Sequence, residues 1–273
     1  MQKILYLTFF IFIIGCGNSE SITNENISST DNNSQKPWYH PLVDTTWQWQ
    51  LTGDINTSYD VDLYDIDLFD SNQTLIDSLH EDGRRVICYF SAGSFESWRE
   101  DALLFPEEVL GKKMDGWDER WLDIRDQRVK KIMLSRLDLA HKKGCDGVEP
   151  DNVDGFENDT KFALKSTDQL LYNLFLAKEA HKRGLAVGLK NDLSQIPELV
   201  DYFDFALNEE CHQFHECADL KPFIASNKPV FNAEYSKKYK LDKSSVCKES
   251  KILGMNTLIL PLNLDGSFRI DCL

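Results

Sequence analysis

Two short stretches of this chain each place several carboxylates directly after an apolar run. The first is Val148-Glu149-Pro150-Asp151-Asn152-Val153-Asp154-Gly155, and the second is Asn208-Glu209-Glu210-Cys211. Carboxylates at the end of a buried strand cost free energy unless they are solvated, paired or used in chemistry. Two carboxyl groups across a cleft are what glycoside hydrolysis requires, one as acid and the other as nucleophile or base. The alternative is that these carboxylates form structural salt bridges. That interpretation is the weaker one, because two clusters occur in the same setting.

The elements that would position these clusters are eight segments of strand length. We predict strands at 46–51, 61–69, 85–90, a segment ending at Asp151, 185–189, 205–208, 229–232 and 257–262. Helical spacing of apolar residues predicts a helix at 127–143. The capping-box spacing of Ser166 and Gln169 predicts another helix, with a buried face of Leu170, Leu171, Leu174 and Phe175. Residues 94–120 are predicted to form a long loop.

Strands that alternate with helices, most of them uniformly apolar, indicate a parallel sheet covered on both faces. We therefore predict an α/β fold, a single (β/α)₈ TIM-barrel-like domain at residues 38–273. An open doubly wound sheet is the main rival. No Gly-rich phosphate loop follows any of the predicted strands, so a nucleotide-binding version lacks its signature.

In a barrel the polar residues just past each strand face one common mouth. Aromatic rings can stack on sugar faces there, and amides and carboxylates can hydrogen-bond hydroxyl groups. An amide or ester hydrolase could use the same groups, and any single aromatic ring could instead belong to the core. The candidate substrate-binding residues are Trp49, Gln50, Asp65, Asp67, Tyr89, Ser91, Asn152, Asp154, Lys190, Asn191, Asn208 and Glu234.

Several motifs in the same order resemble glycoside hydrolase family 114, from about Trp47 to Tyr235. The resemblance implies a (β/α)₈-like barrel and endo-cleavage of α-1,4-linked galactosamine polymers. The motifs are residues 46–64, Cys88-Tyr89-Phe90-Ser91-Ala92-Gly93-Ser94 with Glu96, Trp98 and Arg99, Trp121-Leu122-Asp123-Ile124-Arg125, residues 146–155, Ala180-His181 with Gly184, Gly188-Leu189-Lys190-Asn191, and residues 208–211.

The resemblance implies that Asp151 and Glu209 form the catalytic pair, with Asp151 as nucleophile and Glu209 as acid/base. That assignment predicts retention of configuration. The family pattern has glutamine where this chain has Glu210, which would alter the field around the acid. Strand alternation by itself favours Glu210 over Glu209, because Asn208 and Glu210 share one face of an ideal strand.

The N-terminal segment indicates export. Residues 1–15 combine one lysine with a short apolar run, which predicts a signal peptide. The run ends in Gly15-Cys16, which resembles a lipobox and predicts lipidation of Cys16; an ordinary signal peptide is the alternative. Residues 16–37 are rich in Ser, Asn and Thr and are predicted to be a flexible tether. We expect a bacterial lipoprotein, held to a membrane by its lipid alone on the periplasmic side or at the cell surface.

The charge of the chain restricts its partners. It carries 45 acidic and 30 basic residues, a net charge of −15, which becomes −16 once residues 1–15 are removed. An acidic surface argues against nucleic acid and suits a cationic amino-sugar polymer, whose groups Asp65, Asp67 and Asp154 would bind. We expect a monomer without a cofactor. A catalytically silent glycan-binding protein remains the alternative function.

Six cysteines other than Cys16 allow disulfides in an exported chain. We predict the pairs Cys211–Cys217 and Cys247–Cys272. Cys88 and Cys145 lie in apolar surroundings and are predicted to be free buried thiols. Two histidines between Cys211 and Cys217 would permit a zinc site, but the disulfide is the favoured state, so we predict no metal.

Overall fold

The computed structural model describes residues 37–272 as one folded unit. Short strands alternate with helices along the chain. The strands are Trp47–Gln50 (β1), Leu63–Asp67 (β2), Arg85–Ser91 (β3), Ser94–Glu96 (β4), Leu110–Lys113 (β5), Glu119–Leu122 (β6), Gly147–Asp151 (β7), Ala186–Lys190 (β8), Phe205–Glu209 (β9), Val230–Glu234 (β10), Asn256–Ile259 (β11) and Ile270–Asp271 (β12). The helices are Gln73–Glu81 (α1), Gln127–Lys143 (α2), Ser166–Lys182 (α3), Ile196–Leu199 (α4), Cys211–Phe214 (α5), Lys221–Ala225 (α6), Lys237–Leu241 (α7) and Ser244–Leu253 (α8).

Eight of the strands form one curled parallel sheet in the order β1-β2-β3-β7-β8-β9-β10-β11, and β12 pairs antiparallel with β11. Hydrogen bonds bring the two ends of this sheet together. The Trp47 indole N–H donates to the carbonyl of Asn256 at 3.0 Å, and Arg269 donates to the carbonyl of Trp47 at 2.9 Å. The predicted TIM-barrel-like α/β fold is confirmed.

Both faces of the sheet are buried, which is why its strands read as continuous apolar runs. One face fills the barrel with large side chains, among them Trp47, Phe205 and Phe231. The other face packs against the helices. Gly188 makes room inside the barrel, because a Cβ there would lie 2.2 Å from the Phe205 ring.

Helix α3 corrects the sequence prediction in two respects. Its N-cap is Lys165, whose backbone N–H donates to Asp168 at 2.9 Å, so the predicted capping box at Ser166 and Gln169 was one residue late. The predicted apolar face was right in part: Leu170, Leu174 and Phe175 pack partly buried against the core, but Leu171 is 64% exposed. The fully buried side chains of the helix are Gln169, Tyr172, Asn173, Leu176, Ala177 and Ala180. The helix turns its polar side chains inward because they support the ends of the strands.

Residues 94–120 are more ordered than the predicted loop. They contain β4, β5 and the first half of β6, and the three strands pair as a small antiparallel sheet in the order β4-β6-β5. This sheet follows β3 directly and carries the exposed aromatic residues Trp98 and Trp117. The insertion therefore adds a wall at the carboxyl end of the barrel.

Three disulfides tie the domain together. The predicted pairs Cys211–Cys217 and Cys247–Cys272 are confirmed. The prediction of free thiols was wrong, because Cys88 and Cys145 form the third disulfide. Cys88 lies on β3 and Cys145 just before β7, and these strands are neighbours although 57 residues separate the cysteines. Apolar surroundings do not distinguish a buried thiol from a buried disulfide, so only the pairing of the strands reveals this bond.

The predicted signal peptide, Cys16 and residues 16–36 of the tether lie outside the described residues, so those predictions stay open. Among residues 37–272, no helix has both the length and the apolar character needed to cross a membrane.

Candidate active site

Both carboxylate clusters meet at one buried lysine. Lys190 ends β8, which lies between β7 and β9 in the sheet, so its side chain falls between Asp151 and Glu209. The Nζ atom lies 3.1 Å from Asp151 Oδ1 and 3.3 Å from Glu209 Oε2. It also lies 3.1 Å from Glu149 Oε1 and above the ring of Trp49. One ammonium group thus holds three carboxylates at the carboxyl end of the barrel.

Asp151 and Glu209 each accept further hydrogen bonds. Asp151 accepts from the Tyr89 hydroxyl at 3.1 Å and from the backbone N–H of Asn152 at 2.7 Å. Glu209 accepts from the Tyr235 hydroxyl at 2.5 Å and from Asn191 Nδ2 at 3.4 Å. Donors of this kind fix the direction in which each carboxylate points.

A second pair of acids lies beneath this site. Glu149 is fully buried against Asp65, which is 1% exposed. Burial, then the charge and the hydrogen bond of Glu149, raise the pKa of Asp65 well above its usual value. Burial raises the pKa of Glu149 to about 7, although the charge of Lys190 opposes the rise. This rise favours the protonated form of Asp65, which can donate to Glu149.

Left-handed backbone follows three successive strands of the sheet. Asn152 has φ 59° after β7, Asn191 and Asp192 have φ 47° and 44° after β8, and Glu210 has φ 60° after β9. Such conformations cost free energy outside glycine and persist where the surroundings enforce them, commonly at functional sites. Gly93 lets the chain approach this region, because a Cβ there would lie 1.7 Å from the Asn152 carbonyl oxygen.

The carboxylates open into a cleft made of two joined parts. One part, with a volume of about 470 Å³, is lined by Asp151, Glu209 and the rings of Trp49, Trp98 and Trp117, and we call it the aromatic arm. The other, of about 960 Å³, is the acidic arm, lined by Asp154, Glu157, Asp192, Glu210, Glu216 and Asp219. Trp117, Asp154, Asn191, Glu209 and Leu262 border both arms.

The structure divides the twelve candidate substrate-binding residues into two groups. Seven line the cleft, namely Trp49, Asp67, Tyr89, Asn152, Asp154, Lys190 and Asn191. Five are buried beneath its wall, namely Gln50, Asp65, Ser91, Asn208 and Glu234. Because these five side chains are buried, we do not expect them to contact a substrate. Asp67 lines the cleft, but its carboxylate is paired with Arg99 at 2.6 Å.

The buried residues hold the lining in place. Ser91 accepts from Asn152 Nδ2 at 2.9 Å, and Asn208 donates to Asn191 Oδ1 at 3.2 Å. Glu234 accepts from the backbone N–H of His212, and burial raises its pKa to about 7. Gln50 donates to the backbone carbonyls of Thr52 and Asp54 and so shapes the loop after β1.

Sequence reasoning gave no role to four residues that complete the site: Glu149, Tyr235, Trp98 and Trp117. Glu149 and Tyr235 lie at the ends of predicted strands, so their positions in the sequence indicated that they could belong to the site. The two tryptophans are 55% and 51% exposed in a polar insertion. Exposed large rings in such a segment indicate a binding surface.

Glu209 and Glu210 differ in their contacts. Glu209 lines both arms and reaches Lys190, whereas Glu210 lines only the acidic arm. The left-handed backbone at Glu210 breaks the strand alternation that had favoured it. The structure thus places Glu209, with Asp151, on the shared ammonium.

Cysteine and histidine side chains cluster at Cys211, His212 and Cys217. The disulfide uses both sulfur atoms, so neither is available as a thiolate ligand. His212 instead lies 2.8 Å from the Ser250 hydroxyl through Nε2. The cluster therefore has a structural role at α5, the helix that follows β9.

Known proteins match both the sequence and the fold. The model of Glycoside-hydrolase family GH114 matches residues 28–272. Ega3 from Aspergillus fumigatus, solved as a complex with galactosamine, is 39% identical over 87% of this chain and 98% of its own, with a TM-score of 0.82. The glycoside hydrolase domain of PelA from Pseudomonas aeruginosa is 14% identical, covers 81% of this chain and 96% of its own, and shows the fold with a TM-score of 0.66. No curated protein matches significantly. The chain therefore belongs to glycoside-hydrolase family GH114 and is a glycoside hydrolase.

Proposed function

We propose that this chain is an endo-acting hydrolase of α-1,4-linked, galactosamine-containing polysaccharide, with Asp151 and Glu209 as its catalytic pair. The observation that carries the proposal is the convergence of these two carboxylates on Lys190 inside an open cleft. The galactosamine complex of Ega3, at 39% identity, supports an amino sugar as the substrate unit. A cleft open along two joined arms suits the interior of a polymer rather than a chain end.

The proposed reaction retains the anomeric configuration. An oxygen of Asp151 attacks the anomeric carbon, the bond from that carbon to the leaving oxygen breaks, and the proton of Glu209 passes to that oxygen. Water then attacks the same carbon, gives its proton to Glu209 and releases Asp151. Because Asp151 Oδ1 and Glu209 Oε2 lie 3.1 and 3.3 Å from one nitrogen, they cannot be more than 6.4 Å apart. This limit supports retention, for which carboxyl separations of about 5–5.5 Å are typical, against about 6.5–9.5 Å for inversion.

The experiment is reducing-end release from an α-1,4-galactosamine polymer by the wild type, Asp151→Asn and Glu209→Gln. We expect each variant to lose about 10²–10⁴-fold in rate, the usual contribution of an acid–base or nucleophilic group. Glu81→Gln, on the exposed end of α1, is the matched control and should keep full activity. Full activity in Asp151→Asn would refute the nucleophile assignment, and no release by the wild type would refute the substrate.

We also propose that the chain acts as a monomer, exported and anchored to a membrane through lipid on Cys16. The support is the short apolar run before Gly15-Cys16 and the polar segment that follows. Labelling with a fatty-acid analogue in a bacterial host should mark the wild type and leave Cys16→Ser unlabelled. Equal labelling of the two proteins would refute the anchor, and a dimer by light scattering would refute the monomer.

A further inference from the structure

The two arms of the cleft differ in how their acids are balanced. In the aromatic arm, Arg99 pairs with Asp67 at 2.6 Å and with Glu96 at 2.7 Å. Asp118 is paired with Lys113 at 2.7 Å. In the acidic arm, no ion pair neutralises any of the six acids that define it, within residues 37–272. Most acids that line the aromatic arm therefore have an ion-pair partner. The acidic arm is lined by one lysine, Lys221, which among the described residues pairs with none of its six acids.

One acid in the acidic arm is buried and incompletely paired. Asp192 is 2% exposed and lines the arm. Its Oδ2 accepts from Asn173 Nδ2 at 2.8 Å, while Oδ1 has no hydrogen-bond partner among the described residues. A buried acceptor without a partner costs free energy, which a ligand that donates to it can recover. Burial and the charges of Asp154 and Glu157 raise the pKa of Asp192 to about 8.

The catalytic pair orients the two arms relative to the scissile bond. Asp151 borders only the aromatic arm, whereas Glu209 borders both. The acid/base must reach the oxygen that leaves, and the nucleophile must reach the anomeric carbon. The side of the cleft that Glu209 reaches and Asp151 does not is therefore the side of the leaving group. The aromatic arm then holds the sugar that Asp151 attacks.

We infer that the acidic arm is a binding site for a protonated amino group on the leaving-group side, so that the enzyme requires a free-amine sugar there and tolerates an N-acetyl sugar in the aromatic arm. This inference rests on the proposed function. An ammonium group supplies donors and a positive charge to acids that have no ion-pair partner among the described residues. An acetamido group is neutral and would leave the acids unbalanced. Glu210, the departure from the family pattern, adds its charge to this arm and not to the aromatic one.

The two ends created by each cleavage report on the two arms separately. Water adds to the anomeric carbon, so the sugar from the aromatic arm becomes the new reducing end. The sugar from the acidic arm keeps the leaving oxygen and becomes the new non-reducing end. Hydrolysis of a partly N-acetylated α-1,4-galactosamine polymer in ¹⁸O-labelled water, followed by tandem mass spectrometry, identifies the sugar at each end.

For the wild type we expect the ratio of free-amine to N-acetyl sugars at new non-reducing ends to exceed that ratio in the polymer by about tenfold, as a difference of about 1.4 kcal/mol in binding would give. New reducing ends should show no such enrichment. Asp192→Asn keeps the acceptor for Asn173 and tolerates the left-handed backbone, so it should fold and lose most of the enrichment. Glu216→Gln with Asp219→Asn, on the surface of the arm, is the second variant and should reduce it too.

Two controls make the result specific. Glu81→Gln removes the same charge away from the cleft and should keep the wild-type enrichment. Trp98→Ala should weaken polymer binding without changing the sugar at the new non-reducing end. Wild-type cleavage without enrichment, enrichment only at reducing ends, or full enrichment in both acidic-arm variants would overturn the inference and leave the proposed function standing. The absence of any new ends would overturn both.

Discussion

Replacement of Lys190 by methionine tests whether one ammonium group organises the active site. Lys190 is 3% exposed and contacts Glu149, Asp151 and Glu209 within 3.3 Å. Methionine keeps much of the apolar stem and removes the charge. Loss of one member of a buried charge cluster costs about 3–5 kcal/mol, because the remaining charges stay buried without compensation. We expect a loss of that size in the free energy of unfolding of Lys190→Met at alkaline pH.

The loss in the free energy of unfolding should increase with pH, because Glu149 loses its proton as the pH rises. Its pKa rises from 4.5 to about 7 on folding. The folded protein therefore binds this proton more tightly, and stability falls as pH rises through that interval. The positive charge of Lys190 limits the rise, so its removal moves the pKa of Glu149 still higher. Below about pH 7 the carboxyl is protonated in both proteins, and the extra loss of the variant appears above that pH.

The assay is urea unfolding of wild type and variants at about pH 5.5 and about pH 8.5. Lys142→Met, on the exposed surface of α2, is the matched control and should change stability by less than about 0.5 kcal/mol. Lys190→Arg keeps the charge and should lose less than Lys190→Met. We also expect the hydrolytic rate of Lys190→Met to fall by about 100-fold or more, equivalent to about 2.7 kcal/mol of transition-state stabilisation. A stability loss below about 1 kcal/mol at both pH values, or one that does not depend on pH, would refute the reasoning.

Three further changes probe the support around the site. Asp65→Asn keeps a donor toward the neighbouring buried glutamate, so KM should be unchanged and stability altered by less than about 1 kcal/mol, measured by kinetics and urea unfolding; a large rise in KM would indicate direct substrate contact. Leu176→Ala should cost about 2–5 kcal/mol because the side chain is 1% exposed, whereas Leu171→Ala should cost less than about 0.5 kcal/mol, and the reverse order would refute the face assigned to α3. Cys88→Ser opens a loop of 57 residues and should cost about 4 kcal/mol, against about 2 kcal/mol for the six-residue loop opened by Cys211→Ser, as thermal unfolding would show; the second change should reduce activity more, since it lies beside Glu209, the proposed acid/base.

Parts of the fold could be predicted because their signals are local. Uniformly apolar strands such as 85–90 and helical spacing at 127–143 indicate buried parallel strands and a covering helix, and α2 is observed at Gln127–Lys143. Helix α3 shows where such signals fail. Three of its four predicted face residues pack against the core, but Leu171 is exposed. Asn173 and Tyr172 are buried instead, because Asn173 reaches Asp192 and the carbonyl of Val153, and Tyr172 reaches the carbonyl of Ala92. Contacts with distant residues decided which side of this helix is buried.

By itself, the sequence determined the barrel, the two carboxylate clusters and the family, because strand periodicity and motif order are written along the chain. Only the tertiary structure decided how those clusters are joined. Lys190 is 39 residues from Asp151 and 19 from Glu209 in sequence, and it reaches both because β8 lies between β7 and β9. Glu210 itself is left-handed directly after β9, so it leaves the strand alternation that Glu209 still follows, which no sequence pattern could show. Side-chain roles depend on which strand ends are neighbours in space, and neighbouring strands are specified by the folded sheet rather than by sequence separation.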